Sequence, residues 1–225
     1  MIFPEKIIGI KPNDRVLEIG PGGTPHPRSD VFLEKTFEDE KIAEAQRGFT
    51  PELKTIKQIV YYDGGAFPFQ DNEFDYIIVS HVLEHVSEIE MFLGEIFRVA
   101  NKGYIEYPLI YYDYIYDFPE HITFLKFNKC KLFYLPKSMT SLSEFSGVTS
   151  CFYESLKAGH NCLIFSLRQE LFEGFEWDKP FKIERAKQIS DVCWENIKIN
   201  PPQSRRFTIV RKAKAILKRI LPCST

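Results

Sequence analysis

The sequence predicts an α/β fold, a mostly parallel sheet with helices on both faces, and three observations carry that prediction. A short apolar run, Val16 to Ile19, ends in the glycine-rich turn Gly20-Pro21-Gly22-Gly23. Further short apolar runs follow at Val31–Leu33, Ile59–Tyr62, Tyr76–Val79 and Gly103–Pro108, with helical stretches over Phe37–Arg47 and towards Ala100 between them. With 225 residues and 44% apolar content, the chain can bury a substantial core without disulfides or metal.

In the first strand, residues 15–19, Val16, Leu17 and Ile19 form the unbroken apolar run that a strand covered on both faces needs, and Pro12 and Asp14 punctuate its start. Glycines 20, 22 and 23 leave no Cβ between main chain and ligand. Glu18 stands at the strand's C-terminal end, where open α/β sheets place ligands. A dinucleotide site needs G-x-G-x-x-G opening directly into a helix. Gly20 and Gly22 fit, but Pro25 takes the third position, and Pro25 and Pro27 oppose a helix there. An NAD-dependent oxidoreductase is therefore the weaker reading.

Glu18-Ile19-Gly20-Pro21-Gly22-Gly23 resembles the first motif of the class I S-adenosylmethionine-dependent methyltransferases, an acid, any residue, then glycine-x-glycine. The resemblance implies a Rossmann-like, seven-stranded methyltransferase fold with S-adenosylmethionine across the sheet's C-terminal edge. It places Glu18, Gly20, Pro21, Gly22 and Gly23 at the cofactor. The second strand ends at Glu34, which the resemblance assigns to both ribose hydroxyls, a geometry that suits two carboxylate oxygens. A solvated acid at a strand end is the plain alternative, and Asp30 is a rival that opens the strand instead of closing it. Residues 24–30 are too few for the usual first crossover helix.

The third strand ends in Asp63, followed by Gly64-Gly65-Ala66-Phe67-Pro68-Phe69, a segment similar to the family's acid, small residues and apolar-Pro-Phe. By that resemblance Asp63 accepts from the adenine amino group, with the Gly64 backbone helping; an Asp-Gly turn is the alternative. DNEFDYIIVSHVLEHV, Asp71 to Val86, resembles the fourth-strand motif of the type 11 methyltransferase group and brings Ser80 and His81 to the cofactor. Together these motifs cover roughly residues 12–108. His81, Glu84 and His85 also spell the H-x-x-E-H zinc signature. That motif begins at a strand end, and the surrounding pattern explains it without metal, so no metal site is expected.

Strand five, Gly103–Pro108, follows the helix stop Asn101-Lys102-Gly103. Beyond it Tyr107, Tyr111, Tyr112, Tyr114, Tyr116 and Phe118 precede Glu120 and His121. These aromatics either line an acceptor pocket or pack a lid into the core, and the sequence leaves both open. His121–Lys137 reads as a β-hairpin turning at Asn128-Lys129, Thr140–Gly147 as helix or loop, and Asn161–Phe172 as a late strand.

Residues 1–204 read as one domain, with a cofactor half at about 12–108 and acceptor-side elements at 109–204, and residues 205–225 as a basic amphipathic helix. Eight of the 29 Lys+Arg and none of the 31 Asp+Glu lie from residue 196 onward, leaving −10 on residues 1–195. The apolar stripe of Phe207–Leu221 suits an anionic membrane or the protein's own acidic surface. Five cysteines without C-x-x-C spacing, and no secretory or membrane-spanning run, point to the cytoplasm, with peripheral contact at the inner membrane face as the tail's membrane reading.

A sulfonium methyl already carries its leaving group, so such an enzyme must chiefly align an acceptor and exclude water. An alcohol acceptor must also lose a proton, for which imidazoles are suited. His81, His85 and His121, with Tyr107 behind them, form the catalytic candidate set. The expected reaction is methyl transfer to a small-molecule, sugar or lipid-linked acceptor, at oxygen. The basic charge lies away from the cofactor motifs, against a nucleic-acid substrate. A nucleoside-binding module of the same fold without chemistry is the rival from another class.

Overall fold

The computed structural model describes residues 1–47, 53–142 and 146–194. The apolar runs become strands β1 (Val16–Ile19), β2 (Val31–Lys35), β3 (Gln58–Tyr62), β4 (Tyr76–Ser80) and β5 (Gly103–Pro108), and the charged stretch after β2 becomes α1 (Glu40–Arg47). Helix α2 (Ile89–Val99) crosses from β4 to β5 and buries Ile89, Phe92, Leu93, Ile96 and Val99, a stripe at helical spacing, against the sheet. α3 (Ile110–Tyr116) carries the aromatics. The hairpin β6 (Thr123–Asn128) and β7 (Lys131–Pro136) follows, then α4 (Ser146–Lys157), α5 (Cys162–Ser166), α6 (Arg168–Leu171), β8 (Phe172–Trp177) and β9 (Lys182–Arg185).

The main sheet runs in the order β3-β2-β1-β4-β5-β8, parallel except for β8, which pairs antiparallel with β5. It has six strands among the described residues where seven were expected. β1, β4 and β5 are buried almost throughout, as strands covered on both faces must be. A smaller sheet, β6-β7-β9, lays Leu125 and Leu132 into the main core, while Phe124 and Leu135 join Ile110, Leu142 and Val192 in a second cluster.

The stretch Asn161–Phe172 corrects the sequence reading: it is helical, and the strand begins only at Phe172. Ile164, Leu167 and Leu171 recur at helical spacing and pack together around Phe3. The hairpin turn falls one residue later than expected, at Lys129 and Cys130, both with positive φ. Thr140–Gly147 starts in a 3-10 turn's exit and ends in α4, with residues 143–145 outside the described residues, as is the basic segment Phe207–Leu221. Among the described residues no helix is long and apolar enough to cross a membrane.

Residues 20–30 join β1 to parallel β2 without a helix. Asp30 closes the loop onto β1, its carboxylate accepting from Val16 N–H at 2.9 Å and its N–H donating to Val16 C=O at 2.8 Å. Gly20 has φ +57°, and a Cβ there would lie 2.8 Å from Val82 Cγ2. Gly20→Ala is expected to destabilise the protein by about 1–2 kcal/mol from the left-handed backbone alone, read as a lowered midpoint in urea unfolding; an unchanged midpoint would show that the turn relaxes.

Candidate cofactor and acceptor site

The parallel register brings the C-terminal ends of β1 to β4 into one row, with Glu18 opposite Phe32, Glu34 opposite Tyr61, and Ser80 opposite Glu106. Gly20 N–H donates to Leu33 C=O at 3.0 Å, setting the glycine turn beside Glu34. Gly20 and Gly22 both have positive φ. Pro21, Gly22, Gly23 and Glu34 are partly exposed along this edge, and Asp63 is exposed at the end of β3. Asp63 Oδ1 accepts from Gly65 N–H at 3.1 Å, so the Asp-Gly turn is present, and Gly64 reaches its φ of +100° beside the Lys35 side chain.

Glu18 lies beneath the loop. Its Oε2 accepts from His26 N–H at 2.8 Å and from the Ser29 hydroxyl at 2.6 Å, and only 2% of the residue is exposed. Burial pushes its carboxyl above the ordinary value, against these two donors. Residues 20–30 form a proline-bearing loop, so no helix opens directly from the glycine turn to receive a pyrophosphate.

At the end of β4 the chain turns through His81, whose φ of +58° is uncommon for a residue with a side chain. His81 Nε2 lies 3.0 Å from Glu106 and Nδ1 lies 3.3 Å from Glu84. Burial would lower its pKa, but the bonds and charges of Glu106 and Glu84 outweigh that and raise it to about 9. His81 is thus a cation at neutral pH, which corrects its place among the bases. Glu106, fully buried, also accepts from Ile2 N–H, Phe3 N–H, Ser80 Oγ and Tyr104 Oη. Burial opposes its charge, yet His81 first and these donors after it hold its carboxyl down at about 2.

Tyr107 alternates to the other face of β5 and is fully buried, its hydroxyl donating to Glu173 at 2.8 Å. Burial and the Glu173 charge push its pKa well up. It is a core residue and not a proton acceptor, the second correction to the candidate set.

His85 and His121 do come together, ring centroids 4.9 Å apart. His85 sits in the 3-10 turn Leu83–His85, and Ile122 N–H donates to Glu84 C=O at 2.8 Å, locking the segment after α3 onto that turn. His85 Nδ1 lies 2.9 Å from Glu120 C=O, and His121 Nδ1 lies 3.0 Å from both oxygens of Asp113. Those oxygens only accept, so each Nδ1 carries a proton, and the neutral form of each ring has its lone pair on Nε2. Burial, with the nearby His121 and His81, moves His85 below its usual value against the pull of Glu84. Phe118 stacks on His121 at 4.9 Å and Tyr112 on Phe118 at 5.2 Å, making an aromatic wall. Tyr116 and Phe118 are buried with the core, and Tyr112 and Phe118 also border the His121 ring.

Sequence reasoning missed Ser29, His26, Glu84, Glu106 and Asp113 in these roles. Glu106 and Asp113 were visible as lone acids inside apolar and aromatic runs. Two clefts, of about 380 and 270 Å³, open at the opposite, N-terminal ends of β4 and β5 around Phe74, Lys102 and Asp178, far along the strands from every residue above.

Residues 36–105 match the type 11 methyltransferase-domain family. The sterol 24-C-methyltransferase of Schizosaccharomyces pombe is 33% identical over 103 residues, 43% of this chain and 27% of the relative. The demethylmenaquinone methyltransferase of Renibacterium salmoninarum is 27% identical over 198 residues, 84% of this chain and 70% of the relative. The chain thus spans about a quarter of the length of the first relative. A solved S-adenosylmethionine-dependent methyltransferase from Thermotoga maritima aligns with TM-score 0.34 and 19% identity over 48% of this chain and 50% of its own. Sheet order and motif order are those of a Rossmann-like α/β fold carrying motifs similar to the class I S-adenosylmethionine-dependent methyltransferases. Over residues 36–105 the chain is similar to the type 11 methyltransferase domain, a family whose cofactor is S-adenosylmethionine.

Glu106→Ala is expected to cost about 3–5 kcal/mol, because it strands a buried cation and several donors. A group held near 2 against an ordinary 4.5 stabilises the fold above pH 4.5 and loses that contribution as pH falls towards 2. The gap in melting temperature between wild type and Glu106→Gln should therefore narrow over that window; a gap independent of pH would contradict the paired carboxylate.

Proposed function

We propose that this chain transfers the methyl group of S-adenosylmethionine to a hydroxyl of a small or lipid-linked acceptor. The observation that carries the reading is the row of Gly20, Glu34, Asp63 and Ser80 at the C-terminal ends of four neighbouring parallel strands. The residues fit the cofactor: a glycine turn free of side chains, a carboxylate at the tip of β2 for two adjacent ribose hydroxyls, and an exposed acid beside Gly64 for the adenine amino group. Pro21, Gly22 and Gly23 border the methionine portion in this reading, Glu18 fixes the loop that carries them, and Ser80 and His81 close the floor.

When bound, the cofactor supplies a methyl carbon that already bears its leaving group. The protein's part is then to hold the acceptor oxygen in line, keep water out and accept the hydroxyl proton. His85 and His121 retain Nε2 lone pairs for that last task, and Asp113 fixes the His121 tautomer. The aromatic wall of Tyr112 and Phe118 favours an apolar acceptor. The names of the two curated relatives, which act on a sterol and on demethylmenaquinone, support a small or lipid acceptor over a nucleic acid.

Calorimetric titration should show binding of S-adenosylmethionine and S-adenosylhomocysteine but not NAD. Glu34→Ala should weaken it about 10- to 100-fold, the worth of a hydrogen bond to a charged group. Binding of NAD alone would overturn the assignment. With a sterol, quinol and phenol panel as acceptors, His121→Gln should leave cofactor affinity intact and slow transfer by about 10²–10⁴-fold; undiminished transfer would remove His121 from the reaction.

A further inference from the structure

We propose that Glu84, His85 and His121 hold a divalent transition ion of the zinc class. Among the described residues these three bring one donor atom each to within 4.8 Å of one another, from two elements distant in sequence. Donors at zinc's usual bond lengths stand about 3.4 Å apart, so small side-chain rotations close the set. Two imidazoles and one carboxylate are a donor set that zinc takes while keeping a coordination position open.

Both rings are prepared for the task. Glu120 C=O holds His85 Nδ1–H and the Asp113 carboxylate holds His121 Nδ1–H, which leaves each Nε2 as the available ligand atom. A carboxylate behind an imidazole is the usual outer support of a metal-bound histidine. Glu84 is 1% exposed, and neither of its carboxylate oxygens accepts a hydrogen bond, although Oε1 lies 3.3 Å from His81 Nδ1. His81 faces Oε1 alone, and a further cation beside this carboxylate would offset the cost of burying an oxygen with no donor of its own.

The local charge points the same way. Beside Glu84, the Asp113 carboxylate meets the His121 ring at 3.0 Å, with Lys137 at 3.7 Å from Asp113 and 2.6 Å from Asp117. The ligands are not the pair of histidines that the H-x-x-E-H motif suggests. His81 has both ring nitrogens on carboxylates and is spent, and the second imidazole comes instead from His121 beyond α3. The proposal thus departs from the expectation of no metal.

The proposal deepens the methyl-transfer reading and rests on it only for what the ion does: with Nε2 of both rings engaged, an acceptor oxygen would be activated at the open coordination position instead of by an imidazole directly. Ion binding itself is tested without that reaction. Chelator-stripped full-length protein, with its cysteines replaced by serine, is titrated with Zn²⁺ by calorimetry and with Co²⁺ by visible absorption. One equivalent should bind, with d–d bands of a low-coordinate nitrogen–oxygen site, and Mg²⁺ should not compete, since imidazole ligands disfavour it. Asp113→Asn should weaken Zn²⁺ about 10- to 100-fold, and Glu84→Gln and His121→Gln at least as much. In wild-type protein, ¹⁵N resonances of His85 and His121 Nε2 should shift on adding Zn²⁺ while those of His81 do not, a readout that needs no variant to fold. Absence of binding, equal affinity across the variants, or unshifted Nε2 resonances would overturn the proposal. S-adenosylmethionine titrated into the same sample reports the cofactor site separately, so loss of the ion site and loss of the methyltransferase reading are distinguishable.

Discussion

A carboxylate that cannot reach water governs the geometry of this edge of the sheet. Glu106 lies in the fifth strand with no exposure and collects two backbone N–H groups from Ile2 and Phe3, the hydroxyls of Ser80 and Tyr104, and the His81 imidazole. Burying an ion is tolerable only when it is paired and fully hydrogen-bonded. Each donor is therefore held where the carboxylate needs it, and this ties the N-terminal segment, the end of β4 and the end of β5 to one point. The same demand accounts for Gly174 on β8: it lies opposite Glu106, and a Cβ there would stand 2.2 Å from the Tyr104 hydroxyl that serves Glu106. It also sustains His81 in a left-handed backbone, a strain of about 1–3 kcal/mol that the charged contacts on both ring nitrogens offset.

Glu18 does for the first loop what Glu106 does for the strand ends. Parallel strands ordinarily need a helical crossover, which would itself satisfy the backbone between them. Residues 20–30 have none, and the prolines forbid one. Their shape comes instead from acceptors supplied by β1 and the loop's own acid: Glu18 for His26 and Ser29, Asp30 for Val16. Lys57 adds a donor from outside, reaching the carbonyls of Pro27 and Ser29. A cofactor acid by motif is thus also the foundation of the turn above it, and its substitution would act on both.

The parts of the fold legible in the sequence were those written in local pattern. The five parallel strands, the glycine turn, the missing crossover helix and the hairpin all follow from runs of apolar residues and from Gly and Pro. Asn161–Phe172 reads as a strand because so short an apolar run is compatible with either period, and the packing of Ile164, Leu167 and Leu171 with Phe3 selects the helical one. Glu106, Glu84 and Asp113 stood out as acids in apolar surroundings, but their partners lie in other elements: Ile2 and His81 for Glu106, His121 for Asp113. Register and chain crossing decide those pairings, and no window of sequence contains them.

The three histidines show why residue type alone underdetermines chemistry. His81 and His85 lie one turn apart, and His121 follows an unrelated helix, yet the grouping by function cuts across the grouping by sequence. What separates them is the oxygen each ring nitrogen meets. Two carboxylates make His81 a fixed cation with no lone pair to offer. A carbonyl for His85 and a carboxylate for His121, each meeting Nδ1, leave Nε2 as the nitrogen with a lone pair in the neutral form of each ring. The H-x-x-E-H motif is thereby divided, its first histidine serving the fold and its glutamate and second histidine serving the site.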